Sequence, residues 1–195
     1  IPSVASSDAA TYKVVISNSC GFNVTSNAAV LVVKSAPTVQ TIASTNTLCV
    51  GDSRTLTVAA VTNNGGTLTY QWKKGGVNIP NATTASLALN NLQTGDAAVY
   101  TVAVTNSCGT TTSPDYTITM TQAPIITLDP VSQSLCAGAT ATFTANVTGS
   151  TSYKWQRNGV DVGVTTTTLS IPSVATANAG TYTFLATNSC GNTTS

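Results

Sequence analysis

The 195-residue chain has no histidine, no glutamate and a single methionine, and it carries only 7 lysines and arginines against 6 aspartates. Charged residues make up 7%, against about 25% in ordinary globular chains. Without histidine there is no imidazole base and no imidazole metal ligand. Six scattered aspartates leave little for acid–base pairs. A net charge of +1 without a basic cluster excludes nucleic acid as an expected partner, and an anionic membrane surface as well. The apolar runs, such as Ala28-Ala29-Val30-Leu31-Val32-Val33, fall far short of the roughly 18 residues of a spanning helix. There is no initiating methionine, and the chain opens as if inside a domain. A fragment is therefore expected, with signal peptide and anchor outside this window.

What is present is hydroxyl: 38 threonines and 20 serines. Hydrophobic residues still reach 42%, too many for a disordered chain, and the Thr- and Val-rich character favours strands.

Self-similarity organises the rest. Asp8-Ala9-Ala10-Thr11-Tyr12 leads to Asn18-Ser19-Cys20-Gly21, Asp96-Ala97-Ala98-Val99-Tyr100 to Asn106-Ser107-Cys108-Gly109, and Asn178-Ala179-Gly180-Thr181-Tyr182 to Asn188-Ser189-Cys190-Gly191. The tyrosine-to-cysteine spacing is 8 each time, and the period is 88 and then 82. Leu48-Cys49-Val50-Gly51 recurs as Leu135-Cys136-Ala137-Gly138, and Tyr70-Gln71-Trp72-Lys73 as Tyr153-Lys154-Trp155-Gln156. A repeat of this length is long enough to own a core. Within it the apolar pattern has period 2, as in Leu56-Thr57-Val58 and Tyr100-Thr101-Val102, with Gly, Asn and Asp clusters between the runs. About seven short strands per repeat imply an antiparallel two-sheet sandwich. Pro37 and Pro124 open successive units, giving short, stiff linkers. The expected division is residues 1–36 as the last strands of one unit, 37–123 as a complete unit, and 124–195 as a unit without its final strand.

On these residues the repeats resemble intermediate-type immunoglobulin domains. That family's marks are a Gly-Asp turn before strand B, a tryptophan on strand C, Leu-x-Leu on strand E, an Asp-x-Gly/Ala-x-Tyr corner into strand F and Asn-x-x-Gly in the FG turn. They fall here at Gly51-Asp52, Trp72, Leu87/Leu89, Asp96/Ala98/Tyr100 and Asn106/Gly109, and again at Gly138, Trp155, Leu169/Ile171, Asn178/Gly180/Tyr182 and Asn188/Gly191. Asn178 departs from the usual Asp. The resemblance implies an all-β fold of tandem sandwiches, with Val58, Trp72, Leu87, Leu89, Tyr100, Val102, Phe143, Trp155, Tyr182 and Phe184 in the cores. The family's B–F disulfide is replaced by Val58 with Val102, and by small Ala145 with large Phe184, which conserves volume. Cysteines in a Cys-x-Gly turn and at the FG tip also resemble repeats of large secreted surface proteins of Bacteroidetes-type bacteria, including adhesion proteins. This implies secretion, a cell-surface address and a multi-repeat parent.

Five cysteines without a Cys-x-x-Cys spacing imply disulfides, and the odd number requires a partner elsewhere. In the implied sandwich Cys49 and Cys108 lie at opposite ends, about 25 Å apart, whereas a disulfide needs Cα atoms within about 7 Å. The preferred expectation is therefore a bond between units, Cys49 with Cys190. Cys20, Cys108 and Cys136 would then bond units outside the chain. The alternative pairs Cys49 with Cys108 and Cys136 with Cys190.

Other candidates have plain structural readings. Asp8 and Asp96 would cap backbone amides rather than bind calcium. Lys73-Lys74 and Lys154/Arg157 would be solvated edges. Phe22, next to an FG tip, would pack on a neighbouring unit or meet a ligand. Four Asn-x-Ser/Thr sequons at Asn23, Asn81, Asn146 and Asn192 match the roughly five that composition alone gives, so they are no signal of glycosylation. No catalytic, cofactor or metal site is expected. The partners expected are neighbouring units of the same protein and copies of itself in a fibre. The functional expectation is a structural or adhesive repeat segment, against a ligand- or glycan-binding module or an inert stalk.

Overall fold

The computed structural model describes residues 1–40 and 45–195. The described residues form short antiparallel strands joined by turns, with three single 3-10 turns at Ser6–Asp8, Thr94–Asp96 and Thr176–Asn178. They group into two compact units. The first comprises residues 1–45, 55–88 and 98–117, and the second 46–54, 89–97 and 118–195. These groupings do not follow the repeat borders of the sequence. The turns around Gly51 and Leu92 hold each other through Gly51 N–H to Leu92 O and Leu92 N–H to Asp52 O, both 2.8 Å, and Val50 N–H reaches Thr121 O at 2.9 Å. Both turns therefore belong with the chain from residue 118 onward.

In the first unit the strand Thr69–Lys74 lies between Val77–Asn78 and Ala98–Asn106, and Gly109–Thr112 extends the sheet beyond Ala98–Asn106. Register places Val102 opposite Trp72 and Val104 opposite Tyr70. The period-2 pattern turns Tyr100, Val102, Val104 and Asn106 inward, and all four are buried. Trp72 is fully buried, and its indole N–H donates to Thr84 O at 2.9 Å, so burying it strands no donor. Val58 and Leu87 of this unit are buried too, and Leu89, which falls in the second unit, is half-buried.

Residues 10–31 form two small hairpins, Ala10–Tyr12 with Ala29–Leu31 and Val15–Ser17 with Asn23–Thr25. Tyr12, Val14 and Ile16 correspond by repeat to the buried Tyr100, Val102 and Val104, yet they are exposed. Phe22 is also exposed.

In the second unit the sheet order is Val160–Asp161, Ser152–Arg157, Tyr182–Asn188, Gly191–Thr194. Ala141–Thr144 pairs with Thr168–Ile171, and Ile125–Leu128 with Asn146–Thr148. Trp155 stands opposite Phe184. Both are fully buried, with ring centroids 5.2 Å apart in an edge-on arrangement. Ala145 is fully buried in the same cluster, so the small–large exchange fills the volume that Val58 and Val102 fill in the first unit. Phe143 and Tyr182 are half-buried and stack at 4.9 Å.

Candidate functional site

The chemistry-bearing residues of this chain are its cysteines, and each sits in a turn whose geometry is set by neighbours in sequence. In the turn Asn188-Ser189-Cys190-Gly191, Cys190 N–H donates to Asn188 Oδ1 at 2.7 Å. The same bond recurs at Cys108 to Asn106 (2.8 Å) and Cys20 to Asn18 (3.0 Å). Asparagine is suited to this, because its side chain accepts from an amide two residues on. Its other end is used too. Asn188 Nδ2 donates to Gln122 O and Gly149 O, both at 2.7 Å, and Asn106 Nδ2 donates to Ser35 O and Thr62 O, both at 2.8 Å. Ser35 and Gln122 are equivalent residues, just before Pro37 and Pro124. The asparagine thus fastens the cysteine turn to the segment that enters the repeat. Thr111 Oγ1 and Thr193 Oγ1 add bonds to Pro37 O and Pro124 O.

The other cysteine turn is built around Gly51, where φ is +93°, a value open to glycine at little cost. Cys49 N–H donates to Asp52 Oδ2 at 2.8 Å, and Thr47 Oγ1 meets Thr119 Oγ1 at 2.9 Å. Thr121 O accepts from Val50 N–H, and Gln122 O accepts from Asn188 Nδ2. Both cysteine turns are therefore anchored on adjacent residues of one segment. Cys49 and Cys190 are disulfide-bonded with Cα atoms 5.4 Å apart, inside the range a disulfide requires. Both lie in the second compact unit. Cys20, Cys108 and Cys136 carry free, exposed thiols.

Capping at the corners repeats as well. Asp8, Asp96 and Asn178 accept from the backbone N–H of Ala5, Gln93 and Ala175 at 2.8–2.9 Å. Asn178 does this through its amide oxygen, so the departure from Asp keeps the bond and drops the charge. Tyr12 and Tyr182 close their corners with hydroxyl bonds to Asp8 O and Asn178 O, both 2.8 Å. Lys154 is paired with Asp161 at 3.0 Å, and Arg157 donates to Ala177 O. Among the described residues no three His, Cys, Asp or Glu converge to hold a metal, and no helix is long and apolar enough to cross a membrane.

Two predictions arise here. Gly65 is buried beneath Asn106, and a Cβ there would fall 1.9 Å from Asn106 Nδ2 and 2.9 Å from Thr62 O. Gly65→Ala must displace the asparagine and leave Ser35 O and Thr62 O without their donor. Thermal unfolding followed by Trp72 fluorescence is expected to show a loss of about 1–3 kcal/mol. The second concerns pH. The Asp161 carboxyl is held below its ordinary value of 3.8, first by the Gly163 N–H and then by Lys154. A depressed carboxylate contributes stability above its unfolded pKa and loses it as pH falls through the folded one. With no histidine in the chain, the melting temperature is expected to stay flat from about pH 5 to 8. The small Asp161 contribution is lost only below about pH 4, and a pH series of melts checks this.

Residues 123–188 match the family model described as an immunoglobulin domain. A search of curated proteins finds no match. Among solved structures the chain is similar to the three-domain fragment I67-I69 of titin, at 19% identity and a TM-score of 0.65, covering 98% of this chain and 74% of that one. It is also similar to Sidekick-1 immunoglobulin domains 1-4, at 19% identity and TM-score 0.64, covering 98% and 58%. A third similarity is to extracellular domains 3-5 of Drosophila OTK, at 18% identity and TM-score 0.58, covering 100% and 71%. The chain thus has an all-β, immunoglobulin-like fold.

Proposed function

We propose that this chain is a structural or adhesive segment of a long extracellular protein, built from tandem immunoglobulin-like repeats and cross-linked from repeat to repeat by disulfides. The supporting observation is the Cys49–Cys190 bond, because Cys49 belongs to the second repeat of the sequence and Cys190 to the third. The same turn chemistry surrounds Cys108, where Asn106 grips Ser35 as Asn188 grips Gln122. By that rule each FG-tip cysteine bonds the Cys-x-Gly cysteine of the repeat before it. Cys20 and Cys108 then serve preceding units and Cys136 a following one. The repeat borders in this reading are 36/37 and 123/124. In this reading, supported by the resemblance of the cysteine turns to bacterial surface repeats, the protein works outside the cell, on a bacterial surface, with its own further units and copies of itself as partners.

Composition supports the same reading. A surface of Thr, Ser and Asn has few charges for salt to screen and no group that switches between pH 5 and 8. No catalytic role is proposed for this segment.

Non-reducing peptide mapping of the native protein by mass spectrometry tests the proposal. A Cys49–Cys190 peptide pair is expected, with Cys108 linked to a cysteine in a Cys-x-Gly turn. A Cys49–Cys108 pair would make each repeat self-contained and overturn it.

A further inference from the structure

The two Cys-x-Gly turns share a backbone and differ in one charge. Gly51 N–H donates to Leu92 O and Leu92 N–H to Asp52 O, and Gly138 N–H donates to Val174 O and Val174 N–H to Ala139 O, all at 2.8 Å. Asp52 N–H turns back to Cys49 O at 3.0 Å, as Ala139 N–H does to Cys136 O at 3.2 Å. Gly51 and Gly138 have φ of +93° and +89°. Ala139 therefore stands where Asp52 stands, and the turn forms without a carboxylate.

What the carboxylate adds lies at the sulfur. Asp52 Oδ2 accepts from Cys49 N–H at 2.8 Å. Three bonds separate that nitrogen from Cys49 Sγ, so the charge sits within about 7 Å of the sulfur. Asp52 is exposed, and no ion pair among the described residues neutralises it, Arg54 two residues on included. Reduction of a disulfide starts when a thiolate attacks one sulfur, and the electron pair of the S–S bond leaves on the other. Attack at Cys49 Sγ brings a second anion against Asp52. Attack at Cys190 Sγ drives the electron pair onto Cys49 Sγ, beside the same carboxylate. Both routes are opposed.

We propose that Asp52 is an electrostatic guard of the Cys49–Cys190 disulfide, slowing its reduction by small thiols, above all by thiols that carry a carboxylate of their own. A bond made by Cys136, beside Ala139, lacks that guard and exchanges faster. The guard rests on the Cys49–Cys190 bond alone, not on the linking of further repeats.

The test follows reduction of the 195-residue chain by mercaptoacetate and by cysteamine at low salt, with the exposed thiols of Cys20, Cys108 and Cys136 first blocked by N-ethylmaleimide. Each bond reduced consumes two reagent thiols, which leave as their own disulfide. Asp52→Asn keeps an amide oxygen for Cys49 N–H, as Asn178 does for Ala175 N–H at 2.9 Å, and removes the charge. One unit charge at about 7 Å in water changes a rate about threefold. Mercaptoacetate, with two negative charges in its thiolate form, is expected to reduce the variant about five- to tenfold faster than the parent. With cysteamine, whose ammonium offsets its thiolate, the gain is expected to be about twofold or less, and about 1 M salt should close the gap. Equal gains with both thiols would mean a loosened turn and would overturn the proposal, as would no gain at all. Ala139→Asp supplies the converse in the unblocked chain. Alkylation of Cys136 by iodoacetate, read at its peptide by mass spectrometry, should slow about fivefold, and an unchanged rate would also overturn the proposal. A Cys49 that reacts with maleimide before any reductant is added would overturn the disulfide itself, and the proposed function with it.

Discussion

Trp155→Ala is expected to destabilise the sandwich of the third repeat by about 3–5 kcal/mol. The side chain is fully buried, packs edge-on to Phe184 at 5.2 Å, and lies 6.2 Å from Phe143. Truncation removes the largest hydrophobic body of the cluster and opens a void that rigid strands on both faces cannot collapse into. It also deprives Thr166 O of the indole donor at 2.9 Å, an added cost of about 1–3 kcal/mol for a buried acceptor left bare. Against a total of about 5–15 kcal/mol for a typical domain, this is enough to unfold the repeat near body temperature. The two tryptophans make the measurement clean. With Trp72→Phe as background, fluorescence reports Trp155 alone. The parallel change Trp72→Ala is expected to act on the transition that Trp155 does not report. An equal loss in both transitions would show that the repeats melt as one body.

Cys49→Ser ranks second. The disulfide closes a loop of 141 residues, for which loop-closure entropy gives about 5 kcal/mol, with about 2–5 kcal/mol usual when a native bridge is removed. The loss should fall mainly on the transition reported by Trp155, because Cys49 and Cys190 both lie in the second compact unit. The turns themselves should persist, since Thr121 O and Gln122 O still hold Val50 N–H and Asn188 Nδ2. Calorimetry of the variant, and of the parent in reductant, should give the same shift. A variant as stable as the parent would mean that the hydrogen bonds alone fix this geometry.

The fold was legible because several signals agree. Alternating Tyr100, Val102 and Val104 name the buried face, and the structure buries all three. The Asn-x-Cys-Gly spacing marks the hairpin tip, where Asn188 and Gly191 close the register. The corner caps could be read from Asp8 and Asp96, since a short carboxylate before a strand satisfies free amides. The double use of Asn106 and Asn188 was not legible. Nδ2 reaches Ser35, 71 residues away, or Gln122, 66 away, and no local pattern encodes a partner that distant. The only trace is that the asparagine recurs in all three repeats, which a turn alone would also explain.

The span closed by Cys49 and Cys190 has a consequence for survival under attack by peptidases. A cut in any exposed loop between those two residues opens the chain without releasing a piece, because both products remain tied through one sulfur–sulfur bond. The long linkers around Asn63, Asn81 and Gly163 therefore lie inside a covalent ring. Nicked molecules would run at full size until reduced, and the array would keep its continuity after damage that severs its backbone.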